Sequence, residues 1–235
     1  MIWIAGADGC KKGWFRISME IRTAQLRFDC LENAEELLTR SPTPIILGLD
    51  MPIGLSSLKP RVCDKKAREC LDPAKKSSVF PAPIRPILLE KEYTEACTIS
   101  KKISDRKISK QTFYLLPKIR QVDSLLQKTK KYREKIIEVH PEVSFWAWAK
   151  KKHLKYNKKT PEGRLERLKL INDYFGNASF KNARNCFQKQ EVADDDILDA
   201  FATLWTAYRW QKKQAKILPE IPEIDQTGLP MRIVF

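Results

Sequence analysis

The residues in this sequence best suited to chemistry are carboxylates placed where apolar runs stop. Ile2-Trp3-Ile4-Ala5 closes through Gly6 towards Asp8, and Pro44-Ile45-Ile46-Leu47-Gly48-Leu49 ends in Asp50. In an open α/β sheet the carboxyl ends of neighbouring strands face a shared crevice where ligands bind. An aspartate there sacrifices strand propensity, and two side by side are unfavourable unless a cation neutralises both. Taken alone, Asp8 reads as the first residue of an Asp-Gly turn. The run Asp194-Asp195-Asp196-Ile197-Leu198-Asp199-Ala200 changes the balance. At helical period Ile197, Ala200, Phe201, Leu204, Trp205 and Tyr208 form one apolar face, with Asp195, Asp196 and Asp199 gathered on the other. Acids in a first helical turn suit the helix dipole. Asp199 lies deeper, where the dipole rewards it less and its neighbours repel it. A hard cation resolves the conflict, and oxygen-only ligands select Mg²⁺ or Mn²⁺ over zinc.

The elements that would position these groups follow from periodicity. Phe15, Ile17 and Met19 alternate with polar residues, as do Leu26, Phe28 and Cys30, so residues 2–30 read as an antiparallel meander of three strands. Asn33 caps a short helix through Arg40, and the run ending at Asp50 is a central parallel strand. Within the Pro-, Lys- and Arg-rich segment that follows, a helix is expected from Ser109, with a kink at Pro117. Residues 136–139 form the next strand, and Pro141 opens a helix. Another helix runs from Thr160-Pro161 to Gly176. Asp194 is expected to cap the last long helix, to about Lys213, and residues 231–235 to add a terminal strand. The sum is one mixed α/β domain over residues 1–235, with insertions at about 56–134 and about 141–193.

Charge separates these insertions from the rest. The chain carries a formal net charge of +15. Residues 59–135 contribute +12 and residues 150–190 contribute +9, while the remaining segments total −6. Basic segments around an acidic centre fit a polyanionic partner, DNA or RNA; a solvated lysine-rich surface is the plainer alternative. Six cysteines show no CxxC pair or zinc-like spacing, the usage of reduced thiols in a cytoplasmic protein. The N-terminus has no basic leader, and no apolar run is long enough to span a bilayer.

Asp8 on the first strand of a meander, an acid ending the fourth strand and Asp196-x-x-Asp199-Ala200 on the last helix resemble the RuvC-type branch of the RNase H-like superfamily. More closely, the chain resembles domain-of-unknown-function family 429, whose members are predicted to be RNase H-like nucleases. The matching motifs span nearly the whole chain. They are Asp8-Gly9-Cys10-Lys11-x-Gly13-Trp14, Asp50-Met51-Pro52-Ile53-Gly54-Leu55, Arg61-x-Cys63-Asp64-x-x-Ala67-Arg68 and Ser78-Val79-Phe80-Pro81. Further on come Pro117-Lys118-Ile119, Glu138-Val139-His140-Pro141-Glu142, Asp195-Asp196-x-x-Asp199-Ala200 and Asp225-x-x-Gly228-Leu229. Lys12 stands where that turn usually has glycine, which argues against phosphate binding by the loop backbone.

The resemblance implies an RNase H-like five-stranded mixed sheet with helices on both faces, and hydrolysis of phosphodiesters by two metal ions about 4 Å apart. It implies that Asp8 bridges the metals, Asp50 binds one, and Asp196 and Asp199 complete their shells. Asp196 is preferred to Asp195 on the Asp-x-x-Asp-Ala pattern. Asp195, Glu138 and His140 are candidates for a supporting shell; His140 reads first as a packed histidine and second as a proton shuttle. Arg61, Arg68, Arg85 and Lys118 are candidates for phosphate contacts, against the plainer reading of surface charges. Two other functions are compatible with the fold. An ATP-dependent phosphotransferase of the actin/sugar-kinase type would need two glycine-rich phosphate loops, and only Asp8-Gly9-x-x-x-Gly13 is present. A non-catalytic nucleic-acid-binding protein would have no use for four costly carboxylates.

Overall fold

The computed structural model describes residues 1–235. Strands β1 (Trp3–Cys10), β2 (Gly13–Glu20) and β3 (Leu26–Leu31) form the meander, β1 and β2 being joined by a turn at Lys11-Lys12. After the short helix α1 (Glu36–Thr39), β4 (Ile46–Leu49) runs parallel to β1, and β5 (Ile136–Glu138) runs parallel to β4. The sheet has five strands in the order β3-β2-β1-β4-β5. This is the mixed antiparallel and parallel α/β layout expected for an RNase H-like sheet.

Between β4 and β5 lie α2 (Val62–Glu69), α3 (Tyr93–Ser104) and α4 (Lys110–Lys128). Beyond β5 come α5 (Pro141–Trp148), α6 (Pro161–Phe175), α7 (Ser179–Asn185) and α8 (Asp194–Gln211). Period-two alternation divides the core between the two faces of the sheet. Ala5, Ala7, Leu47 and Leu49 pack with Leu116, Ile119 and Val122 of α4, while Ile4, Phe15 and Ile17 pack with Ile197, Ala200, Phe201 and Leu204 of α8. No helix is long and apolar enough to cross a membrane.

The local signals that start and stop helices hold at several points. Ser109 accepts from the Thr112 N–H at the start of α4, which carries Pro117 in its interior. Thr160 accepts from the Gly163 N–H at the start of α6, which ends at Gly176. At α8 the expectation fails: Ala193, not Asp194, is the cap. Asp196 reaches back one turn to accept from the Ala193 N–H at 2.8 Å, and Asp194 is drawn to Arg164, Arg184 and Lys189 instead. The C-terminal strand β7 (Pro230–Val234) pairs with a strand not expected from the sequence, β6 (Ile217–Ile224). Pro219 and Pro222 remove ladder donors from β6, and a register shift between Leu218 and Glu223 accommodates them.

Candidate metal centre

Two glycines set the geometry. Gly6 and Gly48 are register partners on the parallel strands β1 and β4. A Cβ on Gly6 would lie 2.1 Å from the Leu204 nitrogen, and one on Gly48 would lie 2.4 Å from the Thr203 carbonyl oxygen. Helix α8 therefore lies directly against the sheet at a height that only glycine permits. Asp8 follows Gly6 by two residues, and Asp50 follows Gly48 by two. The shared parity directs each pair to the same side of the sheet. Asp199 sits one helical turn before Thr203, so the backbone contact that seats α8 also brings Asp199 over the two strand ends.

Carboxylate oxygens of Asp8, Asp50 and Asp199 all lie within 4.8 Å of one another. Asp8 also accepts from the Gly9 N–H at 2.6 Å. Asp199 is 3% exposed, and its Oδ1 is buried with no hydrogen-bond partner. Its Oδ2 accepts from Lys158 Nζ at 2.5 Å. Lys158 comes from the loop before α6, and nothing in its local sequence distinguishes it from the basic residues around it.

The electrostatics follow from this crowding. Burial first, and then Asp50, Asp199 and Asp196, push the Asp8 carboxyl well above the usual carboxylate range. Burial and Asp199 do the same to Asp50, against the opposing pull of Lys158. Burial raises Asp199 as well, and Lys158 offsets part of the rise. Burial lowers Lys158, but the neighbouring Asp199, Asp50 and Asp8 outweigh it and hold the ammonium protonated.

The other candidate residues divide. Asp196 stands outside the triad of mutually close oxygens because its carboxylate caps α8; burial raises it to about 6, with Asp199 and Asp195 adding to the rise. Asp195 is half-buried on the same turn. His140 lines a cavity with Asp50 and Asp199; its Nε2 lies 3.2 Å from the Ser78 carbonyl and its Nδ1 is buried without a partner. Burial lowers its pKa, which favours the neutral ring.

Glu138 belongs to a different cluster. It pairs with Arg61 at 2.6 Å and accepts from the Ile53 N–H at 2.7 Å. Burial raises it to about 7 despite Arg61. Arg61 is corrected from candidate phosphate contact to core: at 2% exposure it is spent on Asp64, Glu138 and the carbonyls of Ile53 and Gly54. Arg85 is likewise committed, to Asp123 at 2.9 Å and Asp225 at 2.6 Å. Arg68 Nε donates to the Val79 carbonyl at 2.6 Å. Lys118 donates to the Gly13 carbonyl and lies over the Trp14 ring. These four side chains bind the fold together, and Arg61 has no surface to offer a phosphate.

Fold and site thus define a mixed α/β domain with an acidic triad where two parallel strands end beneath a helix. Residues 6–224 match the family model described as a protein of unknown function, DUF429, and the chain belongs to that family. No curated protein and no solved structure matches the chain.

Proposed function

We propose that this protein is a metal-dependent phosphodiester hydrolase, a nuclease acting on DNA or RNA, with Asp8, Asp50 and Asp199 as the ligands of Mg²⁺ or Mn²⁺. The observation that carries the reading is the three-carboxylate cluster in which one buried oxygen, Asp199 Oδ1, has no partner. A buried carboxylate oxygen left unsatisfied is expensive, and a divalent cation would satisfy it and neutralise its neighbours at once. The donor set is oxygen only, which suits a hard cation. Such a cation would supply a water of lowered pKa and positive charge against a phosphate.

The chain's own residues contribute the rest. The Gly6 and Gly48 contacts hold Asp199 against Asp8 and Asp50 without freedom to drift. Lys158 keeps the triad partly neutralised and presents an ammonium where a substrate phosphate would sit. Asp196, one turn before Asp199, is the residue placed to complete a second ion's shell on leaving the cap. Hydrolysis forms a P–O bond to the water oxygen and breaks the ester P–O bond, the proton passing to the leaving oxygen. Free thiols at all six cysteines accord with a cytoplasmic setting.

The test is calorimetric titration of Mn²⁺ into wild type and Asp199→Asn, run beside cleavage of labelled DNA and RNA oligonucleotides. Wild type is expected to bind Mn²⁺ and cut, and the variant to lose both while its circular dichroism stays unchanged. Absence of Mn²⁺ binding to wild type at millimolar concentration would overturn the reading.

A further inference from the structure

Above Asp50 and Asp199 lies a cavity of about 280 Å³. Its floor belongs to the sheet and α8, but its walls come from elsewhere. Lys75 and Phe80 enter from the segment after α2, Gln111 from the first turn of α4, and Asn157 and Lys159 from the loop before α6. The first basic segment is tied beside this space both to the second and to the residue that follows β5. The Lys75 ammonium donates to the Leu154 carbonyl, and the Ser78 carbonyl meets His140 Nε2 at 3.2 Å. Asp50 and Asp199 therefore sit at the bottom of a walled chamber, and Asp199 at 3% exposure could not meet the broad surface of a double helix without those walls parting.

We infer that this chamber receives one unpaired nucleotide, so that the substrate is a single strand or a frayed end and not the interior of a duplex. The inference rests on the hydrolase reading above and adds the form of its substrate. Size comes first: about 280 Å³ lies just below the range of pockets that enclose a drug-sized ligand, roughly 300–1000 Å³, and leaves no room for a base pair. Chemistry agrees with size. Lys75, Lys158 and Lys159 provide positive charge for a phosphate, Gln111 and Asn157 carry amides that both donate and accept, and Phe80 supplies an aromatic ring. Amides with an aromatic face suit a base whose hydrogen-bonding edge is free. In a duplex that edge is paired and stacked, and extruding one base costs about a few kcal/mol. An unpaired strand avoids the penalty.

Two measurements test this and separate it from the hydrolase reading. Binding of thymidine 5′-monophosphate is titrated in Ca²⁺ with wild type and Gln111→Trp, which fills the chamber from an exposed position on the first turn of α4. Lys159→Glu serves as a second variant should the first misfold. Cleavage in Mn²⁺ is compared for one labelled oligonucleotide alone and annealed to its complement. Expected are binding weakened at least about tenfold by Gln111→Trp with Ca²⁺ binding unchanged, and a single strand cut at least about tenfold faster than the duplex. No binding of the monophosphate, or equal cutting inside the duplex, overturns the inference and leaves the hydrolase reading standing. Monophosphate binding that the variant abolishes, with no strand cut by wild type, supports the chamber and overturns the hydrolase.

Discussion

Two buried ionic clusters flank strands β4 and β5, and they are built on opposite terms. Around Arg61, every strong group is answered. Its guanidinium spans Asp64 and Glu138, the Ala82 N–H serves Asp64 at 2.9 Å, and the Ile53 N–H serves Glu138 at 2.7 Å. Around Asp8, Asp50 and Asp199, three carboxylates share one lysine, and a buried oxygen is left over. A satisfied ionic cluster is a structural part whose loss exposes unpaired charge. An unsatisfied one stores repulsion that a ligand can relieve, which makes it the candidate for a working site. The contrast turns on hydrogen-bond completeness, since acids outnumber bases in both places.

The sharpest way to break this contrast is to remove the base from each cluster or an acid from the open one. Arg61→Ala should destabilise the fold by about 3–5 kcal/mol, because Asp64 and Glu138 would stay buried without their partner. Asp199→Asn in chelator should shift stability by less than about 1 kcal/mol, since the lost Lys158 pair is offset by relief of repulsion. Urea unfolding of both variants reads the difference. Comparable losses would mean that the triad is as structural as the Arg61 cluster.

Stability against pH is the next largest effect. Asp8, Asp50 and Asp199 are raised, Asp196 to about 6 and Glu138 to about 7, so each binds its proton more tightly folded than unfolded. That contribution is complete below the ordinary carboxylate value of about 4 and is lost as pH climbs through the raised values. Asp194, Asp225 and Glu142 are lowered by their arginine and backbone partners, against burial, and their contribution is lost as pH falls below the ordinary value. In chelator the thermal midpoint should therefore peak at mildly acidic pH and decline towards neutrality. Mg²⁺ should cancel the part of the decline that belongs to Asp8, Asp50 and Asp199 and leave the part due to Glu138. A profile in chelator that is flat from pH 5 to about 7 would remove the stored repulsion from the comparison.

Lys158→Met probes the one cation inside the open cluster. Without the ammonium on Asp199, Mn²⁺ should bind about tenfold more tightly, about 1.4 kcal/mol, by titration near neutral pH. Weaker binding would show that Lys158 instead orients Asp199 for the metal. The smallest effect is expected at Lys150, Lys151 and Lys152, in the turn after α5. Their joint replacement by glutamine should leave stability within about 0.5 kcal/mol. It should also flatten the salt dependence of oligonucleotide binding by up to about three phosphate contacts. An unchanged slope would assign these lysines to a solvated surface.

Much of the frame was legible from short-range pattern. Apolar runs ending in Asp8 and Asp50 marked β1 and β4, and Ser109, Thr160-Pro161 and Gly176 marked helix ends, because periodicity and capping act within a few residues. The glycines that seat α8 passed for parts of apolar runs, although Gly6-Ala7-Asp8 and Gly48-Leu49-Asp50 repeat one spacing and an isolated strand glycine signals close backbone approach. What only the tertiary structure decided is which charges meet. Arg61 and Glu138 are 77 residues apart, and Lys158 and Asp199 are 41 apart. No local pattern encodes such pairings, so a core arginine passed for a phosphate contact or a surface charge, and Lys158 went undistinguished among the basic residues of 150–190. Asp196 was placed on the correct helix turn, but whether its carboxylate joins Asp199 or caps Ala193 depends on side-chain direction at one position. Periodicity is written into neighbouring residues, whereas the partner of a buried charge is chosen by the packing of the whole chain.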